Sequence, residues 1–141
     1  MDNLFVEIVA PSGRIFQGEA QGVQAPGVEG SFEVLLNHAP MIAAFEIGQI
    51  RLTLPDGEHI LFATSGGFIE VLNNNISILA ETAESGSEID LERAQLAEKR
   101  ALEKLDAARN QEEREAYEAA LNRARNRVRS SMGAVGRDRK F

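Results

Sequence analysis

Hydrophobic and polar positions alternate along the first 86 residues, and the period changes soon after. Leu4-Phe5-Val6-Glu7-Ile8-Val9 opens as a strand, and Pro11-Ser12-Gly13 turns it. Short apolar runs then recur at the spacing of about 8–12 residues that suits a sandwich or barrel. Leu54-Pro55-Asp56-Gly57 predicts a turn joining Ile50-Arg51-Leu52-Thr53 to His59-Ile60-Leu61-Phe62. Proline there pre-sets φ and glycine accepts a positive φ. Asn73-Asn74-Asn75 similarly joins Gly67-Phe68-Ile69-Glu70-Val71-Leu72 to Ile76-Ser77-Ile78-Leu79. The pattern predicts an independently folding β unit over 1–86 with nine or ten strands.

From Glu88 the period is helical. Leu91, Ala94, Ala97 or Glu98, Ala101, Leu105 and Ala108 fall every three or four residues, as one helix face requires. Ser87-Glu88-Ile89-Asp90 fits a capping box at the start. Arg109-Asn110-Gln111 interrupts the pattern. Tyr117, Leu121, Ala124 and Val128 then mark a second helix. So short a connection predicts an antiparallel hairpin over 87–130. The segment 131–141, with Gly133, Gly136 and Arg137-Asp138-Arg139-Lys140, is expected to be a disordered tail.

Alanine dominates the hairpin seam. A buried methyl-sized group contributes about 0.8 kcal/mol, against roughly 1.5–3 for a buried leucine. The hairpin is therefore expected to dock weakly. Its Ala, Glu, Arg, Lys and Leu nevertheless favour helix strongly, so the helices should persist while their packing changes.

Charge divides at the same place. Residues 1–86 carry eleven acids and two cations, Arg14 and Arg51, for a net −9, whereas 87–141 carry +2. The net charge of −7 and pI near 4.9 argue against a nucleic-acid-binding surface. The absence of cysteine excludes disulfides, cysteine–zinc sites and thiol catalysis. No apolar run approaches the ~18 residues of a membrane-spanning helix. Met1-Asp2-Asn3 shows no secretory signal, so a soluble intracellular chain is expected.

Chemistry-bearing constellations are few. His59 sits beside a turn, and His38 lies in a loop where a structural or interface role is expected. Neither has metal spacing. Gly66-Gly67 leads into a strand rather than a helix, so it is no phosphate loop. Arg123 and Arg127 share one helix face, and Arg125 and Arg129 the opposite one. In an antiparallel hairpin they come near Asp90 and Arg93. Spacing alone leaves three readings open: a solvated face with ion pairs, a phosphate-type anion site, or nucleic-acid contact. A nucleotide-hydrolysing enzyme lacks its phosphate loop, metal pair and base.

Two segments carry a resemblance. Gly27-Val28-Glu29-Gly30-Ser31-Phe32-Glu33-Val34-Leu35-Leu36-Asn37-His38-Ala39-Pro40 resembles the "APGxxGxFGVLPxHAP" segment of the epsilon-chain family of F-type ATP synthases. Gly66-Gly67-Phe68-Ile69-Glu70-Val71, followed by Asn74-Asn75-Ile76-Ser77-Ile78-Leu79-Ala80, resembles that family's "GGFxEVxxNxVxVLA". Glu33 and Leu36 depart from it, standing where the family has Gly and Pro. The resemblance implies an all-β sandwich of about ten strands followed by a C-terminal two-helix hairpin. It implies a non-catalytic rotor subunit that couples proton-driven rotation to ATP synthesis. The partners implied are the gamma chain of the central stalk, the membrane rotor ring and, when the helical arm extends to restrain hydrolysis, the catalytic head. The Glu29–Ser31 loop and His38 are implied contacts of the stalk and ring. The implied location is peripheral, on the cytoplasmic face of a bacterial plasma membrane.

Some bacterial members also bind ATP between their helices through "I/L-D-x-x-R-A" and two later arginines. Ile89-Asp90-Leu91-Glu92-Arg93-Ala94 and Leu121-Asn122-Arg123-Ala124-Arg125-Asn126-Arg127 are similar to that pattern. The resemblance therefore implies ATP, as a regulatory ligand that is not turned over, held by Arg93, Arg123 and Arg127. Asp90 and Glu84 are the implied polar partners, and Ile89 and Ala94 would flank the adenine. A nucleotide-insensitive rotor subunit is the alternative.

Overall fold

A computed structural model describes residues 2–138, with side chains through Gly133. Eight strands precede the helices: β1 (Leu4–Ala10), β2 (Gly13–Ala20), β3 (Gly22–Ala25), β4 (Phe32–Leu35), β5 (Met41–Thr53), β6 (His59–Leu72), β7 (Asn75–Ala80) and β8 (Ala83–Ser85). A 3-10 turn at Gly86–Glu88 leads to α1 (Leu91–Asp106) and α2 (Gln111–Asp138).

The strand order is β2-β1-β7-β6-β5-β3-β4, with β8 also on β6, and the sheet is not closed. β1 and β7 pair in parallel, and the other pairs are antiparallel. β5 and β6 are long, 13 and 14 residues, and serve both layers of the sandwich. Their first and second halves pair with different neighbours. Residues 67–72 of β6 meet β7, whereas 62–64 meet β8. The β5–β6 register skips Ile47 and Ser65, where the ribbon passes from one layer to the other. Counting each half as a strand of its own layer turns eight into the ten that the sequence suggests.

Alternation places the core. Leu4, Val6 and Ile8 of β1, Ile76 and Ile78 of β7, and Ile69 and Val71 of β6 are all at most 1% exposed. From the other layer Val23, Val34, Ile50, Leu52 and Phe62 meet them, and Phe45 closes the same cluster. The turns follow their residues. Leu54-Pro55-Asp56-Gly57 closes with Gly57 N–H donating to the Leu54 carbonyl at 2.9 Å, and Gly57 has φ +90°. Asn73 and Asn74 adopt φ +50° and +64°, the left-handed pair of a two-residue hairpin; Asn75 already belongs to β7.

Two expectations about the helices change. The cap of α1 is Asp90, whose carboxylate accepts from the Arg93 amide at 3.1 Å. Ser87 instead lies in the 3-10 turn and bonds Ser85 at 2.9 Å. The second helix also does not end at Ser130. It continues to Asp138, because Ser130 and Ser131 are buried and bonded while Gly133 packs on the sheet. A Cβ at Gly133 would come 2.9 Å from Leu61 Cδ1, so this glycine is a close-approach residue rather than a helix stop. The last part of the expected tail, residues 139–141, lies outside the described residues.

The corner between the helices is built by Asn110 and Glu113. Asn110 Oδ1 accepts from the Glu113 amide at 2.8 Å, and Glu113 accepts from the Arg109 amide at 3.0 Å. That amide first, and the Arg109 guanidinium second, hold the Glu113 carboxyl below its ordinary value. A depressed folded pKa stabilises the corner above the unfolded carboxylate pKa, and this contribution is lost as pH falls through the folded value. A carbon-detected NMR titration should therefore place the Glu113 midpoint low, and Arg109→Ala should return it only part of the way.

Candidate functional site

The hairpin packs on the outer face of the layer that contains β3, the second half of β5, the first half of β6, and β8. Leu121 and Ala124 of α2 are buried on the helix side, as are Ala94 and Ala101 of α1. Ile89 and Ala94 form a small cluster with Ala63 of β6, and Val128 packs against it. Ser131 Oγ donates to the Ile89 carbonyl at 3.3 Å. The end of α2 thus lies against the start of α1, as an antiparallel hairpin demands.

Alanine buries little area, and the sheet-facing stripe of α2 is largely polar. Asn126 is 6% exposed and its amide donates to the Gly48 carbonyl at 2.6 Å. Gln49 Nε2 donates to Ser130 Oγ at 3.1 Å. Such bonds contribute about 1 kcal/mol each, yet leaving a buried partner unsatisfied costs about 1–3. Asn126→Leu should accordingly loosen α2 while leaving the sandwich intact. Hydrogen exchange should rise in the α2 amides by about tenfold or more and stay unchanged in β1 and β7.

The arginines flank this polar stripe at about 100° per residue. Arg123 and Arg127 lie on one flank and, with Ala63, Thr64, Ser65, Thr82, Glu84 and Asn126, line a cleft of about 220 Å³. Arg127 is already engaged there. Its Nε donates to Glu84 Oε1, and its Nη2 to Oε2 at 3.3 Å. On the opposite flank Arg125 pairs with Glu98 of α1 at 3.3 Å.

The residues named from the sequence fall into two sets. Glu84, Arg123 and Arg127 converge on one cleft, although β8 and α2 are far apart in the chain. Ile89 and Ala94 lie buried beneath the hairpin, Asp90 is the cap of α1, and Arg93 is exposed on its first turn. Ile89 and Ala94 thereby hold the start of α1 against Ala63 of the sheet. Thr64, Ser65, Thr82 and Asn126 belong to the cleft and were not singled out by sequence. Their one available signal was the spacing of Asn126, Ser130 and Gly133, small or polar residues on a single helix face.

Elsewhere, His59 is exposed, with Nδ1 3.0 Å from Thr53 Oγ1. His38 Nδ1 lies 2.8 Å from the Ala39 carbonyl oxygen. It shares a cleft with Asn37, Pro40, Asn73 and Asn74. Asn37 and Asn74 lock the two loops reciprocally, the Asn37 amide donating to Asn74 Oδ1 at 2.6 Å and Asn74 Nδ2 donating back at 3.2 Å. Glu33 is an exposed residue of a regular β4, and Leu36 packs on the core, so both departures from the segment pattern are accommodated. No helix among the described residues is long and apolar enough to cross a membrane.

Residues 3–86 match the family described as ATP synthase, delta/epsilon chain, beta-sandwich domain. The ATP synthase epsilon chain of Salinibacter ruber is 54% identical over 143 aligned residues, covering 96% of each chain. That of Syntrophomonas wolfei is 41% identical over 126 residues, covering 89% of this chain and 92% of its own. Among solved structures, a chain of the Euglena gracilis mitochondrial ATP synthase superposes with a TM-score of 0.79 at 20% identity. It covers 96% of this chain and 82% of that one, and at such identity the likeness is one of fold. The two-layer sandwich, the docked hairpin and these relatives lead to one conclusion: the chain belongs to the ATP synthase epsilon-chain family, whose members are non-catalytic subunits of that enzyme.

Proposed function

We propose that this chain is a rotor subunit of the central stalk, coupling proton-driven rotation to ATP synthesis. Its sandwich seats on the gamma chain and the membrane ring, and its helical arm restrains hydrolysis when it leaves the docked position. The observation that carries the rotor role is an apolar stripe on the outer face opposite the hairpin. Phe68 and Leu79 are cross-strand neighbours there, 58% and 59% exposed, with Ala44 next in the row and Val28 beside it at 58%. Ile42, at 72%, extends the same face. A row of large exposed apolar groups on a flat sheet marks a surface that another chain covers. Chains of this fold occur in the OSCP/F1/c-ring assembly of the Euglena gracilis mitochondrial ATP synthase and in the central stalk and c-ring of that from Tetrahymena thermophila, which supports the same reading.

The arm reading rests on the weak docking described above. The helices total 44 residues, which at ~1.5 Å each could extend roughly 66 Å if joined into one rod. We further propose that ATP favours the folded arm, with Arg123 and Arg127 taking its phosphates and Glu84 yielding Arg127 to them. Arg93 and Asp90 join the site in this reading because the end of α2 lies against the start of α1, where Ser131 Oγ donates to the Ile89 carbonyl. Ile89 and Ala94 serve it in this conformation by holding α1 down.

Binding of the full chain to a gamma chain, measured by surface plasmon resonance, tests the rotor role. Phe68→Ser should weaken association about thirtyfold, the effect of removing one central aromatic anchor. His59→Ser, on the far end of the ribbon, should leave it unchanged. Equal affinity for both variants and the unaltered chain would sink the proposed docking face.

A further inference from the structure

A cleft of about 390 Å³ lies on the other flank of α2 from the Arg123–Arg127 site. Gln24, Ser31, Gln49, Arg51, Leu61 and Arg129 line it, with Asn126 as the ridge between the two clefts. It contains two guanidinium groups and no lining carboxylate. Arg51 comes from the sandwich and Arg129 from α2, so the cleft lies between the sandwich and the hairpin.

Arg51 is the informative residue. The sandwich has only two cations against eleven acids. Arg14 pairs with Glu7 at 3.1 Å. Arg51 has no carboxylate within ion-pairing distance among the described residues, despite that acidic surplus. Its Nε is shielded from solvent and has no hydrogen-bond partner there. A buried N–H of a permanent cation without an acceptor costs free energy, and a buried donor in a native fold ordinarily finds a partner. An anion in the cleft supplies one. Two guanidinium groups suit a phosphate group in particular, since each presents parallel N–H donors to its oxygens. Side-chain amides of Gln24 and Gln49 and the Ser31 hydroxyl add neutral polar groups to the wall.

Two acids of the same sheet stand near the site, and Glu46 of β5 is one, lining the adjoining cleft together with Arg129. Cross-strand pairing sets Glu33 of β4 beside Gln24, and Gln24 beside Arg51, on one outward row. Two strand spacings put Glu33 about 10 Å from Arg51, far enough to weaken an anion's binding without replacing it.

We propose that the Arg51–Arg129 cleft is a second phosphate-binding site that ties the end of α2 to the sandwich. It does not depend on the nucleotide site of the other flank. The bound group could be free phosphate, a polyphosphate, or the phosphate tail of a nucleotide, and one titration series separates them.

The full chain would be followed by nitrogen-15 NMR at the Arg51 Nε–H, whose shielding should give a resolved, slowly exchanging signal. Orthophosphate, pyrophosphate and ATP would be titrated at constant ionic strength. Saturable shifts of the Nε–H are expected, with pyrophosphate binding more tightly than orthophosphate. Arg129→Gln, at an exposed position whose loss spares the fold, should weaken binding at least tenfold. Glu33→Gln should strengthen it about twofold. Arg123→Ala/Arg127→Ala should leave it unchanged, which separates this site from the nucleotide site. ATP matching pyrophosphate in that double variant would identify a nucleotide tail as a ligand, and a response to the inorganic anions alone would identify them. A shift that grows linearly without saturating, or that survives Arg129→Gln at full strength, would overturn the proposal.

Discussion

Gly67→Ala should be among the most damaging single-methyl changes in the sandwich, lowering stability by about 3 kcal/mol. Gly67 has φ +155°, in the range where side chains are rarely tolerated. Space is the larger constraint. An added Cβ would overlap the Leu79 carbonyl oxygen and come 2.9 Å from Phe45 Cζ and 3.0 Å from Ala80 Cα. Two of these three atoms are backbone of the neighbouring strand, which cannot move without breaking the β6–β7 pairing. The third belongs to a ring 3% exposed in the core. Urea denaturation should show the loss as a fall in midpoint with little change in slope. Gly57→Ala provides the contrast. It has φ +90° but nothing within 4 Å, so only the backbone cost of about 1–2 kcal/mol applies. Equal losses at the two positions would show that close packing at Gly67 is not what demands glycine.

The same pair of glycines shows where sequence reading stops. Alternation in Leu4–Val9 and Ile76–Leu79 is local, so β1 and β7 could be read directly from it. The turns at Pro55-Asp56-Gly57 and Asn73-Asn74 were legible for the same reason: the residues that need special φ occupy the turn itself. Gly66-Gly67 looked like the start of a strand. It is the bend inside one, and only the neighbouring Leu79 and Phe45 reveal why it must be glycine. Gly133 misled in the opposite sense, since a helix-breaking residue on paper is a packing requirement against Leu61.

The candidate site was legible in part. Arginines four residues apart announce a shared flank, and Arg123 and Arg127 do line one cleft. Arg127 and Glu84 are 43 positions apart in the chain, and no local rule carries that far. The resemblance named Glu84, and the ion pair with Arg127 gives it a physical role. Asn126 escaped notice because a mid-helix Asn ordinarily reads as a solvent-facing residue. Here it replaces the apolar contact that an alanine-rich helix could not supply.

ATP binding should fall about a thousandfold in Arg123→Ala/Arg127→Ala, a change that isothermal titration calorimetry would register as loss of measurable heat. Each guanidinium removed deletes charge-assisted bonds that contribute about 1.5–3 kcal/mol. One term opposes binding in the unaltered chain. Arg127 is committed to Glu84, and a phosphate must displace or share that carboxylate. The pair is partly exposed, at 34% and 40%, so its own contribution is at most about 1 kcal/mol and a triphosphate can outcompete it. Glu84→Gln tests this competition, because it frees Arg127 while preserving the side chain's shape. If the carboxylate only occupies the arginine, Glu84→Gln should tighten ATP binding several-fold; if it also holds the nucleotide, binding should weaken. ATP at 100 times its dissociation constant would favour the folded arm by about 2.7 kcal/mol, provided the extended form does not bind it. Against a hairpin docked through a few polar bonds, that is enough to shift a balanced equilibrium to about one part in a hundred open. No heat at millimolar ATP from the unaltered chain would remove nucleotide from the control of the arm. The proposed docking face for the gamma chain, on the opposite layer of the sandwich, would be untouched by that result.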